Sequence, residues 1–127
     1  MLPREHRLHR PADFTEVVRR GRRASRPLLT VHALLAGPEP VALPVTTAAR
    51  AGLVVSKAVG GSVVRSTVSR RLRHLLRDRL VGLPAGARVV VRAAPPAGAA
   101  SSAALSADLD AALTTALRPR TPGGPTR

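Results

Sequence analysis

The chain of 127 residues has no cysteine, no tryptophan and no tyrosine, one phenylalanine (Phe14) and a single lysine (Lys57). Without thiols there is no disulfide framework and no thiolate metal site. With one aromatic ring available, the hydrophobic interior has to be aliphatic. No apolar run approaches the roughly 20 residues that span a bilayer. Residues 1 to 10 are basic and no apolar stretch follows them, so the pattern of a signal peptide is missing and a cytoplasmic location is expected. Acidic groups are scarce as well: 7 Asp and Glu stand against 21 Lys and Arg, a net charge of +14. Solubility needs far less charge than that, and the excess points to a polyanionic partner. G+C-rich coding would favour Arg over Lys in any case, so the sign of the charge carries this argument and the choice of cation adds little.

The residues that are present concentrate the charge in one place. From Gly61 to Leu80, Val64, Val68, Leu72, Leu75, Leu76 and Leu80 recur at helical spacing and form an apolar stripe. Arg70, Arg73, His74 and Arg77 project from the other side. One face of this helix docks on a core, and the other offers guanidinium groups, whose planar forks match phosphate oxygens in pairs. Six Arg and one Asp between Val63 and Leu80 would make an inert solvated face self-repelling. Arg71 and Arg79 lie nearer the apolar edge, along the core boundary.

Around this helix the chain reads as alternating short elements. Pro11 opens a helix, with Asp13 and Glu16 near its positive end and Phe14, Val17 and Val18 as its stripe, and Gly21 ends it. Arg19, Arg20, Arg22, Arg23 and Arg26 cluster at that exit. Pro27 to Leu35 alternates as a strand, with Leu29, Val31 and Ala33 on one side and Leu28, Thr30 and His32 on the other. Gly37 to Pro44 is a Pro-rich connection, where the place of a further short strand stays open. Ala51 to Lys57 is a strand, Gly60-Gly61 a turn, Ser62 the expected N-cap of the basic helix, and Gly82 and Pro84 its end. Ala87 to Ala93 is a buried strand around Val89-Val90-Val91. Ser101 or Ser102 caps a last helix with Leu105, Leu109, Leu113 and Leu117. Asp108 and Asp110 on that helix are expected at a solvated edge.

Helices segregated onto a small sheet make an α+β sandwich in one domain. The expected organisation is a basic arm over residues 1–10, one α+β RNA-binding domain over 11–118 and a disordered tail over 119–127. If the two strands flanking the basic helix are neighbours, they run parallel. His6 and His9 sit among Arg4, Arg7 and Arg10, which repel cations, so no metal site is expected there. No Ser-His-Asp set, paired glutamates or Gly-rich phosphate loop occurs, and no catalytic residue is expected in this chain.

The order of elements, the opening with Asp13-Phe14 and Arg20-Gly21, the strand Arg50-Ala51-Gly52-Leu53-Val54-Val55-Ser56-Lys57 and the basic helix together resemble the protein subunit of bacterial ribonuclease P. The resemblance runs from about Leu8 to Leu117. It departs in one place. The family's helix usually carries Arg-Asn-Arg followed closely by Lys-Arg; here Arg65, Arg70 and Arg73 match, while Ser66, Thr67 and Ser69 stand where an amide and two cations are usual. Hydroxyls can still donate single hydrogen bonds to phosphate.

The resemblance implies an α+β sandwich with a left-handed strand–helix–strand crossover, contrary to the usual preference. It implies a subunit of a ribonucleoprotein endoribonuclease whose RNA performs the hydrolysis with Mg2+, releasing the 5′ leader of precursor tRNA. This chain would hold no cofactor of its own. Its implied partners are ribonuclease P RNA and precursor tRNA, with no DNA and no membrane. The implied RNA-binding residues are Arg65, Ser66, Arg70, Arg71, Arg73 and Arg77. A cleft between the first helix and the sheet would take the single-stranded leader through Phe14, Val18, His32, Lys57 and Arg19. With one ring available for stacking, charge should dominate leader affinity. Two other readings compete: a general RNA-binding or ribosome-associated protein, and a basic amphipathic protein at a membrane surface. The lack of aromatic anchors argues against the last.

Overall fold

The computed structural model describes Leu8 and residues 11–35, 49–84 and 86–117. Helix α1 spans Pro11–Arg20, strand β1 Arg22–Ser25, β2 Leu29–Leu34, β3 Arg50–Val54, helix α2 Ser62–Leu80, strand β4 Arg88–Ala93 and helix α3 Ser102–Ala116. The four strands form one sheet in the order β1-β2-β4-β3. β1–β2 and β2–β4 are antiparallel, while β3 and β4, joined through α2, are parallel as the sequence leads us to expect. Most of the basic arm, the Pro-rich connection and the tail lie outside the described residues. Within the arm Leu8 is buried, and its N–H donates to the Ala51 carbonyl at 3.0 Å.

The sheet is covered on both faces, which explains the three consecutive valines of β4. Val89 and Val91 enter the larger core with Val31, Leu72, Leu76, Leu105 and Leu109. Val90 points the other way, into a small cluster with Leu8 and Val17, against which Phe14, Leu34 and Val54 pack. A strand buried on both sides reads as a continuous apolar run, because alternation then separates two cores instead of core from water. Helix α3 packs on β1 and β2, α2 on β3, and α1 on β2 and β4. The single helix α1 leaves part of its face of the sheet open.

Several local expectations are corrected. Arg22 to Ser25, which in sequence is only a run of charge at the exit of α1, is a strand paired with Thr30 to Ala33. Lys57 is not in β3 but opens a short 3-10 turn over Lys57–Val59. Gly61, not Ser62, occupies the N-cap of α2, and no side chain caps that end. The C-terminal helix behaves as expected: Ser101 caps it, accepting from the Ala104 N–H at 3.1 Å. Asp110 is exposed as expected, though ion-paired, whereas Asp108 is not at a solvated edge. Asp108 accepts from the Leu28 N–H at 2.9 Å and lies 3.5 Å from Arg26, tying α3 to the β1–β2 turn. Asp110 takes Nε and Nη2 of Arg79 in a fork, which joins α2 to α3.

Candidate nucleic-acid interface

Two clefts, each lined by two arginines, border the β3–α2 connection, one at Val55 and Ser62 and the other at Ser56 and Ala58. Val68, Leu72, Leu76 and Leu80, four residues apart, bury one side of α2. That fixes Ser62, Arg65, Ser66, Ser69 and Arg73 on another side, where with Val55 they line an open cleft of about 300 Å³. The turn before the helix is shaped for this. A Cβ on Gly60 would stand 2.8 Å from Cγ1 of Val64, and its φ of 157° is one that side-chain-bearing residues rarely adopt. The Gly60 carbonyl accepts from Nε of Arg65 at 3.1 Å, which steadies that guanidinium at the mouth of the cleft. Gly61 supplies no cap and the first turn of α2 carries no acid. The amides and positive dipole end of α2 therefore border the cleft, an arrangement that favours bound phosphate.

The arginines of α2 divide by partner. Arg70, Arg73, His74 and Arg77 are exposed. Arg71 donates to the Ala100 carbonyl at 2.9 Å, so the structure does not bring it into the cleft with Arg65 and Arg73. Arg79 is held by Asp110, Ser106 Oγ and the Leu75 carbonyl, and the hydrogen bond to Asp110, followed by the charges of Asp110 and Asp78, raises its already high pKa against the opposing effect of burial. Of the three residues that replace the family's amide and cations, Ser66 and Ser69 line the cleft. Thr67 spends its hydroxyl proton on the Val63 carbonyl at 3.0 Å.

The second cleft, about 560 Å³, lies where α1 leaves the sheet open. Val18 forms one wall; Arg23, Thr30, His32 and Arg92 rise from three adjacent strands; Ser56, Ala58 and the segment from Ala93 to Pro95 complete it. Of the residues expected at a leader cleft, the structure brings Val18 and His32 together here. Lys57 is exposed between the lining residues Ser56 and Ala58. Phe14 is half-buried and packs over Gly52, beside the cluster of Leu8, Val17 and Val90. Arg19 lies on another side of α1, with Ala12, Thr15, Glu16 and Arg20.

Arg23, which the sequence places only in the basic cluster at the exit of α1, and Arg92, which it assigns to no site, also line the cleft. The signal was available in the alternation that put Thr30 and His32 on one side of β2. Arg23 pairs with His32, and Arg92 with Thr30, so all four share that side of the sheet. Burial, then Arg23 and Arg92, hold the His32 pKa below its ordinary value, which favours the neutral imidazole. On α1, Glu16 is taken by Arg88 at 2.6 Å and Arg20 at 3.2 Å, which pull its pKa down, the Arg88 hydrogen bond most. Neither cleft has a carboxylate in its lining, so both suit anions. Among the described residues no helix is long and apolar enough to cross a membrane.

Comparison with known proteins bears on the family and the fold. Residues 2–117 match the family model described as Ribonuclease P. The "Ribonuclease P protein component" of Streptomyces griseus is 59% identical over 118 residues, covering 92% of this chain and 96% of that protein. The protein of the same description from Salinispora tropica is 49% identical, covering 94% and 96%. Among solved structures, the RNase P protein of Staphylococcus aureus superposes with a TM-score of 0.74 at 21% identity, covering 88% of this chain and 95% of that one. The RNase P protein of Thermotoga maritima superposes with a TM-score of 0.69 at 19% identity, covering 86% and 96%.

Proposed function

The chain belongs to the bacterial ribonuclease P protein family, and from that premise we propose that it is the protein component of a ribonucleoprotein endoribonuclease that matures the 5′ ends of tRNA. In this reading the α2 cleft, with Arg65, Ser66 and Arg73, and the exposed Arg70 and Arg77 hold the catalytic RNA. Arg71 braces the helix and contributes charge. The cleft between α1 and the sheet holds the 5′ leader of precursor tRNA. Val18 and His32 line it, Lys57 stands at its rim, and Phe14 and Arg19 act from α1. The observation that carries the reading is the pair of carboxylate-free basic clefts on a chain of this family.

Hydrolysis belongs to the RNA. A divalent cation is stabilised by oxygen ligands of negative or strongly dipolar character, and guanidinium-lined clefts repel it. Mg2+ therefore enters through the RNA subunit, where it would activate water and stabilise the leaving oxygen. The chain's own part is electrostatic. It screens phosphates that crowd one another in the folded RNA, and so lowers the magnesium that the RNA needs. It also favours substrates that carry a leader. The place of work is the cytoplasm, where precursor tRNA is made.

Reconstitution with the ribonuclease P RNA of the same source tests this. The chain should allow cleavage of precursor tRNA at magnesium concentrations where the RNA alone is inactive. Arg70→Glu with Arg73→Glu should abolish assembly while leaving the circular dichroism spectrum unchanged. RNA binding without any change in turnover or magnesium requirement would favour a general RNA-binding role instead.

A further inference from the structure

We propose that Arg23, His32 and Arg92 form a phosphate seat on the floor of the α1–sheet cleft, and that His32 takes up a proton as a single-stranded RNA phosphodiester settles there. The proposal rests on the leader reading above and adds to it a specific anion site and a dependence on pH.

The register builds the seat. Arg23 of β1 stands directly opposite His32 of β2, and Thr30, two residues earlier on β2, stands opposite Arg92 of β4. Three side chains able to carry positive charge therefore gather on one side of three adjacent strands, with the Thr30 hydroxyl among them. From α1 the cleft receives Val18, which is uncharged. From the turn after β3 it receives Ser56 and Ala58, with Lys57 exposed between them. Glu16 of α1 is not in the lining and is engaged by Arg88 and Arg20. No lining group is thus placed to balance the two guanidinium charges.

His32 is the unusual member. Its Nδ1 is buried and makes no hydrogen bond. A buried polar atom of this kind costs stability and marks the ring as held in an unusual setting beside the two guanidinium groups. With the cleft free, burial and two neighbouring guanidinium groups favour the neutral ring. A phosphodiester reverses both effects. Its negative charge offsets Arg23 and Arg92, and its oxygens accept from an imidazolium N–H at the cleft surface. Binding then consumes a proton, so affinity rises on acidification. The limit for one linked proton is about tenfold per pH unit, between the midpoints of the free and the bound ring.

The probe is a short oligouridylate, whose bases do not titrate in the relevant range, added to the full-length chain between about pH 8 and about pH 5. Two quantities are read: the His32 ring-proton midpoint by NMR with and without the oligonucleotide, and the dissociation constant at each pH. The midpoint should move upward on binding. Affinity should tighten about three- to tenfold per pH unit between the bound and the free midpoints, and His32→Gln should bind with a flatter profile. Equal pH profiles for the wild type and His32→Gln would overturn the proposal, as would a midpoint that stays put on binding. The NMR titration needs no variant, so misfolding of His32→Gln cannot decide the outcome. If Arg23→Gln and Arg92→Gln weaken oligouridylate binding while the His32 midpoint stays put, proton coupling falls and the leader reading stands. If those variants bind as the wild type does, both fall.

Discussion

At the scale of single residues, what matters is what each side chain touches. Sequence position alone assigns Arg65, Arg70, Arg71, Arg73, Arg77 and Arg79 to one basic helix. In the fold Arg71 reaches the Ala100 carbonyl and Arg79 the Asp110 carboxylate, whereas Arg70, Arg73 and Arg77 are exposed. The same division applies to the lone aromatic residue. Phe14 lies over Gly52, and a methyl group on Gly52 would overlap the ring. Gly52 is therefore where β3 lets α1 approach the sheet, and α1 in turn sets the position of Val18 in the cleft wall. Gly52→Ala should destabilise the chain by about 1–3 kcal/mol, the usual cost of overpacking, and Phe14→Leu in the same background should recover part of the loss. Urea denaturation of the wild type, the two single variants and the double variant measures both effects. An unchanged midpoint for Gly52→Ala would mean that the ring is not seated there.

At the scale of elements, the helices and the buried strands could be read from the sequence, and the edge of the sheet could not. Helix α2 declares itself through Val68, Leu72, Leu76 and Leu80, and β2 through its alternation, because burial on one side imposes a period. Strand β1 has only Ala24 buried among Arg22, Arg23 and Ser25, so its sequence has no apolar period to detect. Its place is fixed by pairing with β2 and by packing against α3, and such pairing does not show in a single segment. Asp108 is part of that packing. It satisfies the Leu28 N–H in the β1–β2 turn across 80 residues of sequence, which no local pattern reveals. The cleft beside α1 was legible to the extent that its elements were: Val18 and His32 follow from α1 and β2, while Arg23 and Arg92 needed the strand register. Asp108→Ala leaves a half-buried amide without its partner, a loss worth about 1–3 kcal/mol. Hydrogen exchange should locate it: the Leu28 amide, and then β1, should lose protection before β4 does. Uniform loss across the sheet would mean that Asp108 does not act locally on the hairpin.

At the scale of the whole molecule, 21 basic against 7 acidic residues make association with RNA chiefly a matter of counterion release. The apolar surface offers little competition. Among the described residues the exposed large hydrophobic side chains are Val18, Leu35, Val63 and Val81, and only Val18 lies in a cleft lining. Binding should therefore weaken steeply with salt. If roughly 6–10 phosphates are neutralised, affinity for the RNA subunit should fall about 10³–10⁵-fold between about 50 and 200 mM monovalent salt. Filter binding across that range at constant magnesium gives the slope directly. Arg70→Ala with Arg73→Ala, which removes the two charges without reversing them, should flatten it, since every phosphate left without its guanidinium takes nearly one unit off the logarithmic slope. Arg71→Met should leave the slope nearer the wild-type value, because that guanidinium is engaged with the Ala100 carbonyl. A shallow slope with full affinity would require direct hydrogen bonds or stacking to dominate. With one phenyl ring in the sequence, and that ring packed over Gly52, stacking has almost nothing to work with. The salt slope therefore separates recognition by charge from recognition by shape.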